Sequence, residues 1–326
     1  MTTRSRLAIG LLALAALLAP GRAEAQTKFV VAIPHPVLFD TALPLYVAEE
    51  KGFYKEAGLA VERVVVSGGG ENVQAVVSGS VHVAIATGAF AVLSAFEKGA
   101  PVRIVSAEMT GTPDLYWYVP KGSPVQRLDD LAGQKVAFSN PGSSTHMAVL
   151  AMIEQVRARG LAAPQAVSTG SPPDTLTAVK TGQVDAGWAA VPFALDQVEK
   201  GDLRIVVKGA EIVRLGDVTI RVNFTSVDVL QKQGPAVRGF LRAHQRALDY
   251  IFAERAEAVR IWIKNGLKLS EPAAMKAFEF HAPGPLALKP VKGLATTMED
   301  AVRFKFLKAP LAQAEVDKLI DLSLLP

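Results

Sequence analysis

The chain has 326 residues, half of them hydrophobic, no cysteine and a formal net charge of +4. That length supports two domains with sizeable cores, and the lack of cysteine excludes both a disulfide framework and a lipidated N-terminal cysteine. No basic block or aromatic–basic interleaving occurs, which argues against nucleic acid as a partner. The N-terminus reads as a processing signal. Arg4 and Arg6 precede a short apolar run, Leu7 to Ala19, and Ala23-Glu24-Ala25 supplies a small-x-small cleavage pattern. Residues 1–25 are therefore expected to be a signal peptide cut after Ala25. The apolar run is shorter than the roughly 20 residues a membrane span needs, and removing residues 1–25 leaves 32 basic against 30 acidic residues.

From residue 28 onwards, strand-like runs alternate with helical patterns. KFVVAI (28–33) predicts a strand, LPLYVAEEKGFYKEAG (43–58) a helix and LAVERVVV (59–66) a strand. Helices over 71–79 and 89–99 then alternate with strands over 81–86 and 102–109. This order indicates βαβ units and a mainly parallel sheet. The aromatic run YWYVP (116–120), followed by Gly122 and Pro124, reads as a crossing to a second α/β series that begins at QKVAFS (134–139). That series continues through a helix from Ser143 to Gly160 and a strand near 203–208. VTIRVNF (218–224) reads as the return crossing, and the remainder is mostly helical, starting with Pro235 to Lys264.

The two series repeat one another. Residues 72–106 align with 175–207 so that Ala75, Val76, Gly79, Val81 and Phe90 fall on Ala178, Val179, Gly182, Val184 and Phe193. Glu97-Lys98-Gly99 falls on Glu199-Lys200-Gly201, and Arg103-Ile104-Val105 on Arg204-Ile205-Val206. His82 falls on Asp185 and is expected to face solvent. Two copies are too few for a solenoid. The expectation is an α/β fold of two lobes facing one another: lobe 1 from 26–118 plus 223–326, lobe 2 from 119–222, two mainly parallel sheets flanked by helices, and a two-segment hinge.

In open parallel sheets ligands bind beyond the carboxyl ends of the strands, where helix N-termini offer free N–H groups and partial positive charge. Small polar residues occupy these places in both series: IPHPVLFDTALP (33–44), SGGGEN (67–72) and ATGAF (86–90), then FSNPGSST (138–145), TGSPPDT (169–175) and GWAAVP (187–192). Candidate ligand contacts are His35, Phe39, Ser67, Gly68, Gly69, Asn72, Thr87 and Gly88 in the first series. In the second they are Ser139, Gly142, Ser143, Ser144, Thr145 and Trp188, with Trp117 and Arg221 from the crossings. Each has a plain structural alternative: the glycines a flexible turn, Ser143 to Thr145 a helix cap, the aromatics hinge or core packing, and Arg221 a surface salt bridge. As the guanidinium nearest the crossing, Arg221 is the expected partner of an anion. The five histidines (His35, His82, His146, His244, His281) are scattered, and no metal or cofactor is expected. No G-x-S-x-G, P-loop or H-E-x-x-H pattern supports an enzyme.

At LPLYVAEEKGFYKEAGLAVE (43–62), the SGG turn, SGSVHVAIATG (78–88), LDDLAGQKVAFSNPGSSTH (128–146) and TGQVDAGWAAVP (181–192), the chain resembles the periplasmic substrate-binding proteins of ABC importers, in the nitrate/sulfonate/taurine branch. The resemblance covers almost all of 28–265. It implies a monomeric two-lobed clamp in the periplasm that closes on a small ligand and delivers it to a membrane permease with a cytoplasmic ATPase. Carried over by position, the ligand loops fall at Ser67 to Gly69, Thr87–Gly88, Ser139 to Thr145 and Trp188. The ligand itself stays open between a sulfonate- or nitrate-like anion and an aromatic or heterocyclic (pyrimidine-like) molecule. So does the choice between transport and sensing. The related thiamine-pyrimidine synthases carry a cysteine-rich segment, which this chain lacks.

Overall fold

A computed structural model describes residues 26–66 and 68–326. The expected signal peptide and Ser67 lie outside the described residues. The first sheet has the order β2 (Leu59–Val65), β1 (Thr27–Ile33), β3 (Val83–Gly88), β10 (Thr219–Ser226), β4 (Val102–Thr110). β1 is an interior strand and buried from Phe29 to Ile33, the near-continuous apolar reading of a strand covered on both faces. β2 lies at an edge and carries Glu62 and Arg63 toward water. The second half repeats the plan: β8 (Gly187–Ala190), β5 (Leu115–Pro120) and β9 (Leu203–Lys208) form one ladder, and β6 (Lys135–Phe138) pairs with β7 (Gln165–Ser168). A parallel bridge from Val136 to Ala186 joins the two ladders, giving the order β7-β6-β8-β5-β9.

Both sheets are mixed, with β10 and β5 antiparallel to their neighbours. The reason is geometric. The other strands of each sheet end at the gap between the sheets, so a chain entering from that gap must run away from it. β5 and β10 are those entering strands. The boundaries expected at 118/119 and 222/223 therefore cut through β5 and β10. The segments that pass between the sheets are 111–114 and 209–218, and they touch where Thr112 Oγ1 donates to the Gly209 carbonyl at 2.8 Å. The aromatic run over 116–120 and VTIRVNF are sheet interior, not crossings.

Local chemistry explains the other departures. The helix expected over 43–58 is two, α1 (Ala42–Glu50) and α2 (Phe53–Glu56), because Gly52 turns left-handed at φ 74°. The helix expected over 235–264 begins earlier and is divided: α8 (Val227–Ala253) bends at Gln233 before Pro235, and α9 (Arg255–Lys264) follows Glu254. The outer edge of β4 would be open to pairing with other chains, but the C-terminal segment covers it. Ala107 N–H donates to the Leu288 carbonyl and Thr110 N–H to that of Pro285, both at 2.8 Å, and Ile320 bridges Ile104. The repeat has a structural counterpart. His82 Nδ1 accepts the Val30 N–H at 2.7 Å, and Asp185 accepts the Lys135 N–H at 2.8 Å. Each stitches the third strand's start to the first strand of its sheet. His82 also stacks on Phe29 at 5.0 Å, so it does not face solvent as expected.

Candidate functional site

Between the two sheets lies a cleft enclosing a cavity of about 100 Å³. Four helices of nine residues or more start at it: α3 (Gly69–Val77), α4 (Ala89–Glu97), α5 (Ser144–Arg157) and α6 (Pro172–Lys180). The two halves cap these starts differently. Ser143 Oγ accepts the His146 N–H and Ser171 Oγ that of Asp174, whereas α3 and α4 have no side-chain cap. Each helix start favours an acceptor or anion by about 0.3–1 kcal/mol. Together they supply at most half of the roughly 8 kcal/mol that micromolar binding requires, so side chains must contribute.

The halves meet closely here. A Cβ added at Gly88 would lie 2.3 Å from the Gly142 carbonyl oxygen, and one at Gly68 would lie 2.5 Å from the Asn140 side chain. Two lining residues each carry a buried polar atom with no hydrogen-bond partner within the protein: Trp188, whose Nε1 is a donor, and Asn72, whose Oδ1 is an acceptor. An unmet buried polar group costs about 1–3 kcal/mol, and a ligand with matching groups would recover that. Ser139, Ser143 and Thr145 hydroxyls form a closed triangle of hydrogen bonds at 2.8–2.9 Å, while Asn72 Nδ2 donates to Thr87 Oγ1 at 2.9 Å. Beneath the floor, Asn223 Oδ1 accepts the Ala86 N–H at 2.9 Å and holds Ala86 at φ 49°. Asn223 is held in turn by Glu108, which pairs with buried His244 at 3.1 Å.

Charge at the cleft is concentrated at one point. Arg221, 5% exposed, donates through Nη1 to both Asp40 and Asp114 at 2.8 Å and through Nε to Ser144 Oγ at 2.9 Å. Asp40 shares the lining with it. Burial drives the Asp40 carboxyl up to about 7, against the pull of Arg221 and with the push of Asp114 and Glu108. Burial also lowers His146, stacked on Phe138, and His281, stacked on Phe39, to about 4.

The signs of these shifts oppose one another. The proton on Asp40 contributes stability that is complete below the ordinary 3.8 and lost as pH rises to about 7. The neutral histidines contribute stability above the ordinary 6.5 that is lost as pH falls to about 4. Asp40→Asn removes only the first contribution, so its denaturation midpoint should rise with pH between about 4 and 7 more steeply than that of the wild type. Equal slopes would refute the assignment.

Residues 41–258, two thirds of the chain and most of both sheets, match the family described as NMT1/THI5 like. The chain belongs to that family. It is 24% identical over 200 residues to an Escherichia coli (strain K12) chain named as an aliphatic sulfonates-binding protein, covering 61% of this chain and 59% of the relative. This member of the family thus aligns with somewhat over half the length of that curated relative. Its fold is that of periplasmic binding proteins. The periplasmic aliphatic sulphonate binding protein SsuA from Escherichia coli superimposes with a TM-score of 0.70 at 20% identity, over 91% of this chain and 92% of that one. The periplasmic nitrate-binding protein NrtA from Synechocystis PCC 6803 gives 0.65 at 17% identity, over 92% and 87%.

The cleft of this NMT1/THI5-like chain gathers most of the residues expected there. Gly68, Gly69, Asn72, Thr87 and Gly88 line it from the first half, and Ser139, Ser143, Ser144, Thr145 and Trp188 from the second. Arg221 lines the cleft with Nη1 shared between two carboxylates and Nε donating to Ser144, so the expected anion partner is already part of an ion cluster. Phe39 does not reach the cleft: it is fully buried against Trp262, Phe278 and His281. Trp117 is likewise buried inside the second sheet, its Nε1 donating to the Ala137 carbonyl at 2.9 Å. His35 sits outside the lining, edge-on to Phe193 at 4.6 Å. Gly142 contributes packing against Gly88 rather than lining. Sequence reasoning missed Asp40 and Ser171. An acid just before an apolar helix reads as a cap, but the N-cap of α1 is Thr41 and makes no side-chain cap bond. Ser171 was legible as the S-P-P-D capping box it forms with Asp174.

No described helix is long and apolar enough to cross a membrane.

Proposed function

We propose that this chain is the exported, periplasmic solute-binding component of an ABC importer. In this reading it captures one small polar molecule in the cleft, as a monomer and without turnover, and delivers it to a membrane permease driven by a cytoplasmic ATPase. The observation that carries the proposal is the convergence of four helix starts on one cavity whose lining includes Trp188 and Asn72, each with an unpartnered buried polar atom. The family, and relatives named for aliphatic sulfonates and nitrate, make an acidic group the first candidate for the helix starts. A heterocyclic ligand is the second reading, supported by Trp188 on the wall and by the neutralised Arg221.

Lobes divided at 111–114 and 209–218 would close about those crossings, which is how a two-lobed cleft excludes water from its ligand. Two outcomes test this. Scattering of the protein should become more compact on adding ligand recovered from protein purified at its natural source; identical profiles would refute closure. Ser143→Ala with Thr145→Ala opens the hydroxyl triangle and should weaken that ligand's affinity about tenfold, roughly the worth of one hydrogen bond or two. Calorimetry showing unchanged affinity would remove the ligand from that loop.

A further inference from the structure

We propose that the end of the first sheet remote from the cleft carries a docking groove for an acidic, extended segment of a partner protein. The groove has a volume of about 810 Å³ and lies between α2 and α8, with Leu324 from the C-terminal tail beside it. It shares no residue with the lining of the cleft. A Cβ on Gly239 of α8 would lie 3.3 Å from the Ala57 Cβ and 3.7 Å from the Leu59 side chain. β2 starts at Leu59 and runs about 20 Å toward the gap between the sheets. Groove and cleft therefore lie at opposite ends of that strand, and a partner held in the groove would leave the cleft free.

Charge in the groove is one-sided. Arg238, Arg242 and Arg246 follow one another by a helical turn along α8, and Glu56 is the acidic residue of the lining. Arg246 is already committed: it pairs with Glu56 at 2.5 Å and lies over the Phe53 ring at 4.0 Å. Arg238 and Arg242 are exposed and form no ion pair or hydrogen bond among the described residues. Nearer its start the same helix sets opposite charges four apart, Asp228 with Lys232 at 2.7 Å, which is the arrangement that steadies a solvated face. Like charges at that spacing weaken a helix instead. This stretch of α8 thus holds a repulsion that an anion from outside would relieve, in a chain that beyond residue 25 is nearly balanced at 32 basic against 30 acidic residues. The geometry selects the form of that anion. Successive arginines rise about 6 Å along the helix, and alternate side chains on one face of an extended chain repeat every 6.7 Å or about that. Acidic residues at every second position would meet Arg238 and Arg242 in turn. Gly239 and Ala243 each follow an arginine and Ala57 packs on Gly239, so at those positions the lining carries no side chain longer than a methyl group. With Phe53 and Leu324 also on the lining, the groove is a concave, partly apolar trough that suits a chain and not a flat membrane.

The test is fluorescence anisotropy of the mature protein at low ionic strength with a short dye-labelled peptide that alternates glutamate with serine. Arg238→Gln with Arg242→Gln should weaken its binding about tenfold, the worth of two exposed ion pairs, and leave the unfolding midpoint unchanged or higher. Lys121→Gln with Lys135→Gln removes the same charge from the exposed surface of the second half and should bind the peptide as the wild type does. A peptide of the same composition with its glutamates in one block should bind more weakly than the alternating one. No binding to the wild type, equal losses in the two variants, an arginine variant with wild-type affinity, or a block peptide as tight as the alternating one overturns the proposal. Vesicles of phosphatidylglycerol that capture the wild type and not the arginine variant, while the peptide fails to bind, would overturn it in favour of a membrane surface.

Discussion

Gly88→Val should lower ligand affinity by about 100-fold, near 2.7 kcal/mol, and leave both sheets folded. Gly88 has φ −56° and ψ 130°, a conformation open to any residue, so the substitution strains no backbone. Its effect is purely steric. The new Cβ would lie 2.3 Å from the Gly142 oxygen and under 3 Å from the Ser143 backbone, both belonging to the opposite half. Backbone on a helix start cannot swing aside as a flexible side chain can. The cheapest relief is for the halves to separate, which costs ligand contacts but little of either core. Calorimetry and scattering together decide the matter: weak binding with a more expanded profile and an unchanged unfolding midpoint is expected. Wild-type affinity would show that the halves need not approach this closely in the bound form.

Arg221→Met should have the largest effect on stability, a loss of about 3–5 kcal/mol and a fall in melting temperature of roughly 10 °C. The guanidinium is the shared counter-charge of Asp40 and Asp114, and all three side chains are at most 6% exposed. Removing it strands two carboxyls in a medium that hydrates neither. Protonation relieves part of the cost, so the deficit should shrink in acid. Arg221→Met combined with Asp114→Leu should recover much of the loss, because an apolar set of similar volume replaces a buried ion cluster at little cost. Differential scanning calorimetry of the two variants checks both statements. A single variant as stable as the wild type would mean that water reaches the cluster.

Much of the cleft was legible because the chemistry of a loop at a strand end is local. Gly68, Gly88, Ser143 and Thr145 announce themselves as residues that let a backbone approach or cap a helix, whatever lies around them. Facing is not local. Trp117 and Phe39 are aromatic residues near the right loops, yet the strand pleat and the packing of α1 turn both inward. Sheet membership is less local still. Nothing in LYWYVP or TIRVNFTS says that these strands run against their neighbours, since that follows from where the chain enters each sheet. The pairing of Arg221 with Asp40 spans 181 positions. Either residue alone is ambiguous, and only their meeting reveals a buried ion cluster at the cleft.

The contact between Thr112 and Gly209 has a mechanical consequence. There a Cβ on Gly209 would lie 1.8 Å from the Thr112 carbonyl oxygen, so the two stretches of backbone run directly against each other, tied by the Thr112 hydroxyl. A junction made of two adjoining strands resists stretching and shear but yields to torsion along its own line. If the halves move as proposed, their relative displacement would be channelled into a single rotational degree of freedom, and every loop on the cleft rim would travel on an arc about that axis.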